Sequence, residues 1–126
     1  MSVCSDRGKA GEQFVCDYLI KYGWTIDARN YRIRGGEIDI IAHKDDVLAF
    51  VEVKTRRIRA LVDGIDAIDA KKRQAMIRTA DRYIEKNPTD AGTIRFDVAL
   101  VTITTGEVPR VVGLEYLESA FDAFSV

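Results

Sequence analysis

The sequence predicts a mixed α/β fold, a sandwich of helices around one sheet, and three observations carry that reading. Two short runs rich in Ile and Val, Glu37 to Ala42 and Val47 to Thr55, flank the polar turn His43 to Asp46, which is the pattern of a β-hairpin. Helical periodicity both precedes and follows this hairpin. A further strand-like run comes only after the second helical stretch, so it is expected to return by a right-handed crossover and pair parallel to a neighbour. The competing architecture, a doubly wound nucleotide-binding fold, lacks both a Gly-rich dinucleotide turn and a Walker-type phosphate loop.

The elements follow in order. From Asp6 to Tyr22, residues Val15, Cys16, Leu19 and Ile20 recur at helical spacing, and Gly23 supplies the stop. Trp24 to Ile33 mixes β-formers with Arg29 and Arg32 and reads as an edge-like strand, reversed at Gly35-Gly36. The two hairpin strands are apolar on both faces, as central strands covered by helices are. A second helix is expected from Ala67 to Lys86, with Ile68, Ala75, Met76, Ala80, Tyr83 and Ile84 on one face and Asn87-Pro88 ending it. Ile94 to Thr104 reads as the next strand and Val108 to Leu114 as a last short one. Tyr116 to Phe124 places Leu117, Phe121 and Phe124 at helical spacing, which predicts a terminal helix. No internal repeat, linker or low-complexity tract interrupts the chain.

Composition narrows the function classes. At 126 residues and 47% hydrophobic content, the chain has the size of one ordinary domain and can bury roughly two-thirds of the surface that its unfolded form exposes. Charged residues make up 31% with a net charge of -1, which excludes a histone-like basic protein and leaves phosphate binding to local clusters of Lys and Arg. Cys4 and Cys16 form neither a disulfide framework nor a zinc-ligand spacing, and His43 is the sole histidine. No apolar run approaches the ~20 residues needed to span a bilayer, and Met1 to Gly11 lacks the apolar segment of a secretory signal. A cytoplasmic location without membrane contact is the expectation.

The informative anomaly lies in the hairpin. Asp39 interrupts Glu37-Ile38-Asp39-Ile40-Ile41, and Glu52 with Lys54 interrupts Phe50-Val51-Glu52-Val53-Lys54. Side chains alternate with period two, so Glu52 and Lys54 project from one face while Val51 and Val53 project from the other. Asp39 shares a face with Glu37 and Ile41 by the same rule, and pairing through the short turn brings Asp39 and Glu52 together. Two carboxylates in a partly desolvated place repel, and a divalent cation removes that cost. Oxygen ligands suit Mg²⁺, with Mn²⁺ as a substitute, and the carbonyl of Val53 is a further candidate ligand. Lys54 is then placed to orient or deprotonate a nucleophilic water and to offset charge developing on a phosphorane. The plainer reading makes Glu52 and Lys54 an ordinary ion pair and Asp39 a hydrated edge residue.

Two helix residues admit two readings each. Glu12 falls one turn before Cys16, in line with the apolar stripe, and either joins the acidic cluster or steadies the helix dipole from the first turn. Lys72 falls between Ile68 and Met76, and either reaches a phosphate or snorkels outward.

Together these residues carry a family resemblance. Gly11-Glu12, Gly36-Glu37-Ile38-Asp39-Ile40-Ile41-Ala42, Phe50-Val51-Glu52-Val53-Lys54-Thr55-Arg56, Lys72 and Arg95-Phe96-Asp97 resemble the bacterial YraN-like family over nearly the whole chain. That family looks like a branch of the PD-(D/E)xK nuclease superfamily, similar to archaeal Holliday-junction resolvases. The resemblance implies a restriction-endonuclease-like αβββαβ core over residues 1–126, a mixed central sheet flanked by helices, and Mg²⁺-dependent phosphodiester hydrolysis. It implies that Asp39 takes the first acidic motif, with Ile38 where the superfamily name has proline. Glu52 and Lys54 take the E-x-K motif, and Glu12 takes the helix glutamate of resolvase-like members.

Basic residues flank the proposed site. Arg29, Arg32 and Arg34 precede the Gly pair, and Arg56, Arg57 and Arg59 follow the catalytic strand. With Lys72 they make a candidate track for DNA phosphates, against the plain alternative of a solvated surface. Tyr31 is placed either to stack at a distorted base step or to fill the core or rim. No recognition helix with base-reading side chains is evident, so cleavage of branched or single-stranded regions is expected over sequence-specific restriction. Symmetric cutting of a junction calls for a homodimer. The alternative to an endonuclease is a nucleic-acid-binding or scaffolding accessory of DNA repair, recombination or uptake, acting beside recombination or uptake proteins with little or no turnover.

Overall fold

The computed structural model describes residues 3–58 and 68–122. Its elements are α1 (Val3–Lys21), β1 (Thr25–Ile33), β2 (Gly36–Lys44), β3 (Val47–Arg57), α2 (Ala70–Lys86), β4 (Thr93–Ile103) and β5 (Val111–Phe121). The five strands form one sheet in the order β1-β2-β3-β4-β5, with β3 at its centre. β3 and β4 run parallel, as the intervening helix requires, and the other neighbours are antiparallel. This is a restriction-endonuclease-like αβββαβ core with one further strand.

Local chemistry explains the boundaries. Gly23, at φ +92, ends α1 while the Trp24 N–H returns to the Leu19 carbonyl. Asp69 caps α2 by accepting from the Lys72 backbone N–H, and Asn87 closes it with an N–H to the Tyr83 carbonyl before Pro88. The β2–β3 turn is tighter than the sequence predicts: β2 continues to Lys44, leaving Asp45 and Asp46 between the strands, with Asp45 at φ +52. Asp46 also ties this turn to the start of β4, accepting from Gly92 N–H through its side chain and from Thr93 N–H through its carbonyl.

Two cores cover the sheet. On one face Leu48, Phe50, Phe96, Val98 and Leu100 pack beneath Met76 and Ala80 of α2. On the other, Ala42, Ala49, Val51, Ala99, Val101 and Ile103 receive Val15, Cys16 and Leu19 of α1. The three alanines let α1 approach closely. Gly36 does the same on the α2 side, where an added Cβ would meet the Thr79 hydroxyl and stand 2.9 Å from the Ala75 carbonyl.

The expected terminal helix is a strand. Tyr116 continues the run that begins at Val111, and β5 extends unbroken to Phe121. The spacing of Leu117 and Phe121 misled because β5 is bulged: Val98 faces Leu117 and Phe96 faces Phe121, so two partner positions on β4 span four on β5. Ser119, at φ +51, takes up the excess. The short strand expected from Val108 is thus the beginning of a longer one. Ala67, Arg59 and Phe124 lie outside the described residues. Among the described residues no helix is long and apolar enough to cross a membrane.

Candidate metal and phosphodiester site

The site forms where the β2–β3 ladder ends. Pairing runs from Lys44–Val47 to Ile40–Val51, and the next positions along are Asp39 and Glu52. There the Asp39 carboxylate, at 2.8 Å, accepts the Val53 backbone N–H. A side chain thus replaces a strand-to-strand partner and holds Asp39 beside β3.

Strict alternation fails at the same place. Ile41 packs on the α2 face and Ile40 on the α1 face, yet Ile38 lies in the α2-side core with Ile41. Across the ladder, Arg29 reaches Gln13 of α1, whereas Tyr31 packs edge-on against Tyr83 of α2. Asn30, at φ +51, lies between them and opposite Asp39. Both strands therefore exchange faces at this point, which corrects the expectation that Glu37, Asp39 and Ile41 share one face. The exchange lets α1 supply Glu12 to a site that α2 also borders.

Glu52 is 5% exposed, and its Oε2 has no hydrogen-bond donor although the Lys72 ammonium stands 3.3 Å away. Burial and then the Asp39 charge push its carboxyl up to about 8, against partial relief from Lys72 and Lys54. Glu12 has a second orphaned oxygen, Oε1, also buried without a partner. Its pKa is raised by burial and by Asp39, and drawn back by a hydrogen bond from the Asn30 side chain and by the Arg29 charge. Because α1 begins at Val3, Glu12 lies well beyond the first turn and its helix-dipole reading falls away. Lys72 likewise reaches the acidic cluster rather than simply pointing outward.

The other predicted residues divide. Val51 and Val53 pack on the α1 side, so Glu52 and Lys54 face α2 as alternation requires. Arg56, two further along, donates to Thr102 of β4. Arg34 and Arg57 are exposed at the end of the hairpin and of β3. Arg32 pairs with Glu37 at 3.2 Å. Arg29 belongs to the α1 side with Gln13 and Glu12, and Tyr31 fills the α2-side core rim rather than offering a stacking platform. Asn30 was missed by sequence reasoning; an isolated Asn within a strand is the kind of residue that tolerates a left-handed conformation, and that was its signal.

Asp97 supplies an internal comparison. It is wholly buried and accepts from Arg95 Nε at 2.9 Å, Arg95 Nη2 at 3.0 Å, the Tyr116 hydroxyl at 2.7 Å and the Ser119 N–H at 2.9 Å. Arg95 also lies over the Trp24 ring, 5.2 Å from its centroid. This carboxylate is fully satisfied and holds the β5 bulge in place, whereas Glu52 is buried and under-satisfied. Among the described residues no three His, Cys, Asp or Glu side chains gather as an all-side-chain cage. Two carboxylates, a main-chain carbonyl and water match the looser donor set that Mg²⁺ takes, so the residues present fit such an ion.

Fold and site together define an α/β protein with a restriction-endonuclease-like core whose acidic centre lies at the split between its second and third strands. The chain belongs to the uncharacterised protein family UPF0102, the YraN-like family, whose model matches residues 11–101. It is similar to a UPF0102 protein of Trichlorobacter lovleyi, 42% identical over 91% of this chain and 89% of the relative. Another, from Dictyoglomus thermophilum, is 40% identical over 90% and 95% respectively. A third, from Pseudomonas paraeruginosa, is 34% identical over 94% of both chains.

Proposed function

We propose that this protein is a divalent-cation-dependent DNA endonuclease of the PD-(D/E)xK kind, hydrolysing phosphodiester bonds in branched or otherwise distorted DNA. The observation that carries the reading is the contrast between Asp97, given four donors, and Glu52, buried beside Asp39 with only the Lys72 ammonium, 3.3 Å from Oε2, to offset its charge. A buried Glu52 beside a half-buried Asp39, two carboxylates facing one ammonium, is poorly explained as scaffold, because an apolar pair would serve that purpose at lower cost.

Asp39, Glu52 and the Val53 carbonyl would hold Mg²⁺, or Mn²⁺ in its place. When bound, the ion supplies Lewis acidity toward a phosphate oxygen and lowers the pKa of water. The chain's own groups do the rest. The Val53 N–H fixes the orientation of Asp39. Lys54, on the same face as Glu52, orients the attacking water and offsets negative charge that develops at phosphorus. Lys72 pairs with Glu52, and a cation held by Glu52 would leave its ammonium available to a phosphate oxygen. Arg32, Arg34, Arg56 and Arg57 position the strand without reading its sequence. Symmetric cutting of a junction would use two copies of the chain.

The test is calorimetry with Mn²⁺ followed by a panel of junction, flap, single-stranded and linear duplex DNA. Wild type is expected to bind the ion and cleave at least one branched substrate, and Asp39→Asn to lose both. An ion affinity indifferent to Asp39→Asn and Glu52→Gln, with no cleavage of any substrate, overturns the proposal. Salt-sensitive DNA binding that survives Glu52→Ala without turnover would instead identify a binding accessory.

A further inference from the structure

A cleft opens beside the acidic centre, between the tip of the β1–β2 hairpin and the first turns of α2. Its volume is about 480 Å³, and its walls include Arg32, Gly35, Lys71, Lys72 and Ala75. The recess is open to solvent on one side, and its size falls in the range of sites for single small ligands, about 300–1,000 Å³. Two features connect it with the carboxylates. Glu37 in its wall is two residues before Asp39, and Lys72 extends from it to within 3.3 Å of Glu52.

The lining is chemically divided. At the mouth Arg32 is ion-paired to Glu37 and the exposed Lys71 stands near Asp69, with the ammonium of Lys72 between cleft and carboxylates. Ile33, Ala75 and the main chain of Gly35-Gly36 present an apolar surface. Lys71 and Lys72 beside an apolar wall suit a nucleotide, whose phosphate is anionic and whose base or sugar presents an apolar face. The wall is also firm. Gly36 packs so closely on α2 that even a methyl group would collide with Thr79 and crowd the Ala75 carbonyl, which fixes the hairpin tip against the helix.

We infer that this cleft receives one unpaired nucleotide of the DNA strand, next to the phosphodiester held by the acidic centre. The inference rests on the reading of Asp39 and Glu52 as the cleavage site and supplies its selectivity. A base stacked between neighbours and paired across a duplex cannot enter a recess of one-ligand size. A nucleotide at a branch, a flap or a bulge is already unstacked and enters at least cost. Preference for distorted DNA then follows from the shape of the cleft without any base-reading side chain.

Fluorescence anisotropy in EDTA isolates binding from cleavage. The probes are a labelled 20-base-pair duplex and the same duplex carrying a single extrahelical nucleotide. Wild type is expected to bind the bulged duplex about tenfold more tightly, a difference that stacking and unpairing readily supply. Ala75→Trp, which fills the cleft, and Lys71→Glu, on the exposed rim, should each abolish the preference while binding to perfect duplex persists in Ala75→Trp. Asp39→Asn should retain it. Equal binding of the two probes by wild type, or an undiminished preference in Ala75→Trp and Lys71→Glu proteins that unfold at the wild-type temperature, overturns the inference. Preference without Mn²⁺-supported cleavage keeps the cleft and sinks the nuclease reading, and junction cleavage without preference does the reverse.

Discussion

Glu52 is where the chemistry concentrates, because its charged form is disfavoured by burial and by Asp39 and only partly offset by the Lys72 ammonium 3.3 Å from Oε2. Its folded-state pKa is raised from 4.5 to about 8, so its contribution to stability is complete below pH 4.5 and lost as pH rises through 8. In urea unfolding with EDTA present, Glu52→Gln should match wild type near pH 4.5 and exceed it by about 2–5 kcal/mol at pH 9. An ion entering this site must displace the same proton. Mn²⁺ affinity by calorimetry is therefore expected to rise by up to about tenfold per pH unit until pH 8 and then to level off. Asp97 has a structural role instead. Removing it strips the half-buried Arg95 of its bidentate partner, leaving the more distant Glu118, and leaves Ser119 N–H unmatched, so Asp97→Ala is expected to cost about 3–5 kcal/mol of stability. The same substitution should leave the Mn²⁺ affinity of the folded fraction unchanged, which separates a structural carboxylate from a ligand.

At the scale of elements, the site depends on two departures from regular structure. The first is the exchange of faces at Asn30 and Asp39, which brings α1 and its Glu12 to a centre bordered by α2. The second is the close seat of the β1–β2 hairpin on α2 at Gly36. Gly36→Ala should destabilise the fold by about 1–3 kcal/mol, since the added methyl meets Thr79 and the α2 backbone rather than open space. Thermal unfolding checks the magnitude, and Gly35 provides a contrast of a different origin. A Cβ there meets nothing within 4 Å, yet φ is +89, so Gly35→Ala carries a backbone penalty without a packing one. The β5 bulge belongs at this scale too. Ser119 and Asp97 create it through a single hydrogen bond that joins a strand edge to a buried charge.

For the whole molecule, a net charge of -1 means that attraction to DNA comes from the local groups around the cleft and β3 rather than from the overall field. About five phosphate contacts are expected from the exposed and half-exposed cations, so the logarithm of DNA affinity should fall with the logarithm of salt at a slope of about -3 to -5. A slope near zero in anisotropy titrations would remove the phosphate track. Much of this molecule was legible in the amino-acid order. The hairpin, both flanking helices, the parallel return of β4 and the candidates Asp39, Glu52 and Lys54 follow from periodicity and from charges interrupting apolar runs, because hydrophobic burial and strand alternation act over a few residues. The rest depended on contacts between residues far apart in the chain. Leu117 and Phe121 fit a helical spacing until Asp97, some twenty residues earlier, pulls Ser119 into a bulge. Asn30 signals only a tolerance of left-handed backbone, and its role emerges once the strand register sets it across from Asp39. Glu12 could have been a dipole partner or a member of the acidic centre, and its surroundings decided between them. Local sequence determined α1, the hairpin strands, α2 and β4, whereas only tertiary packing decided that the last segment is a bulged strand, that β1 and β2 exchange faces near Asp39, and which buried carboxylates receive donors, since desolvation is a property of the assembled environment.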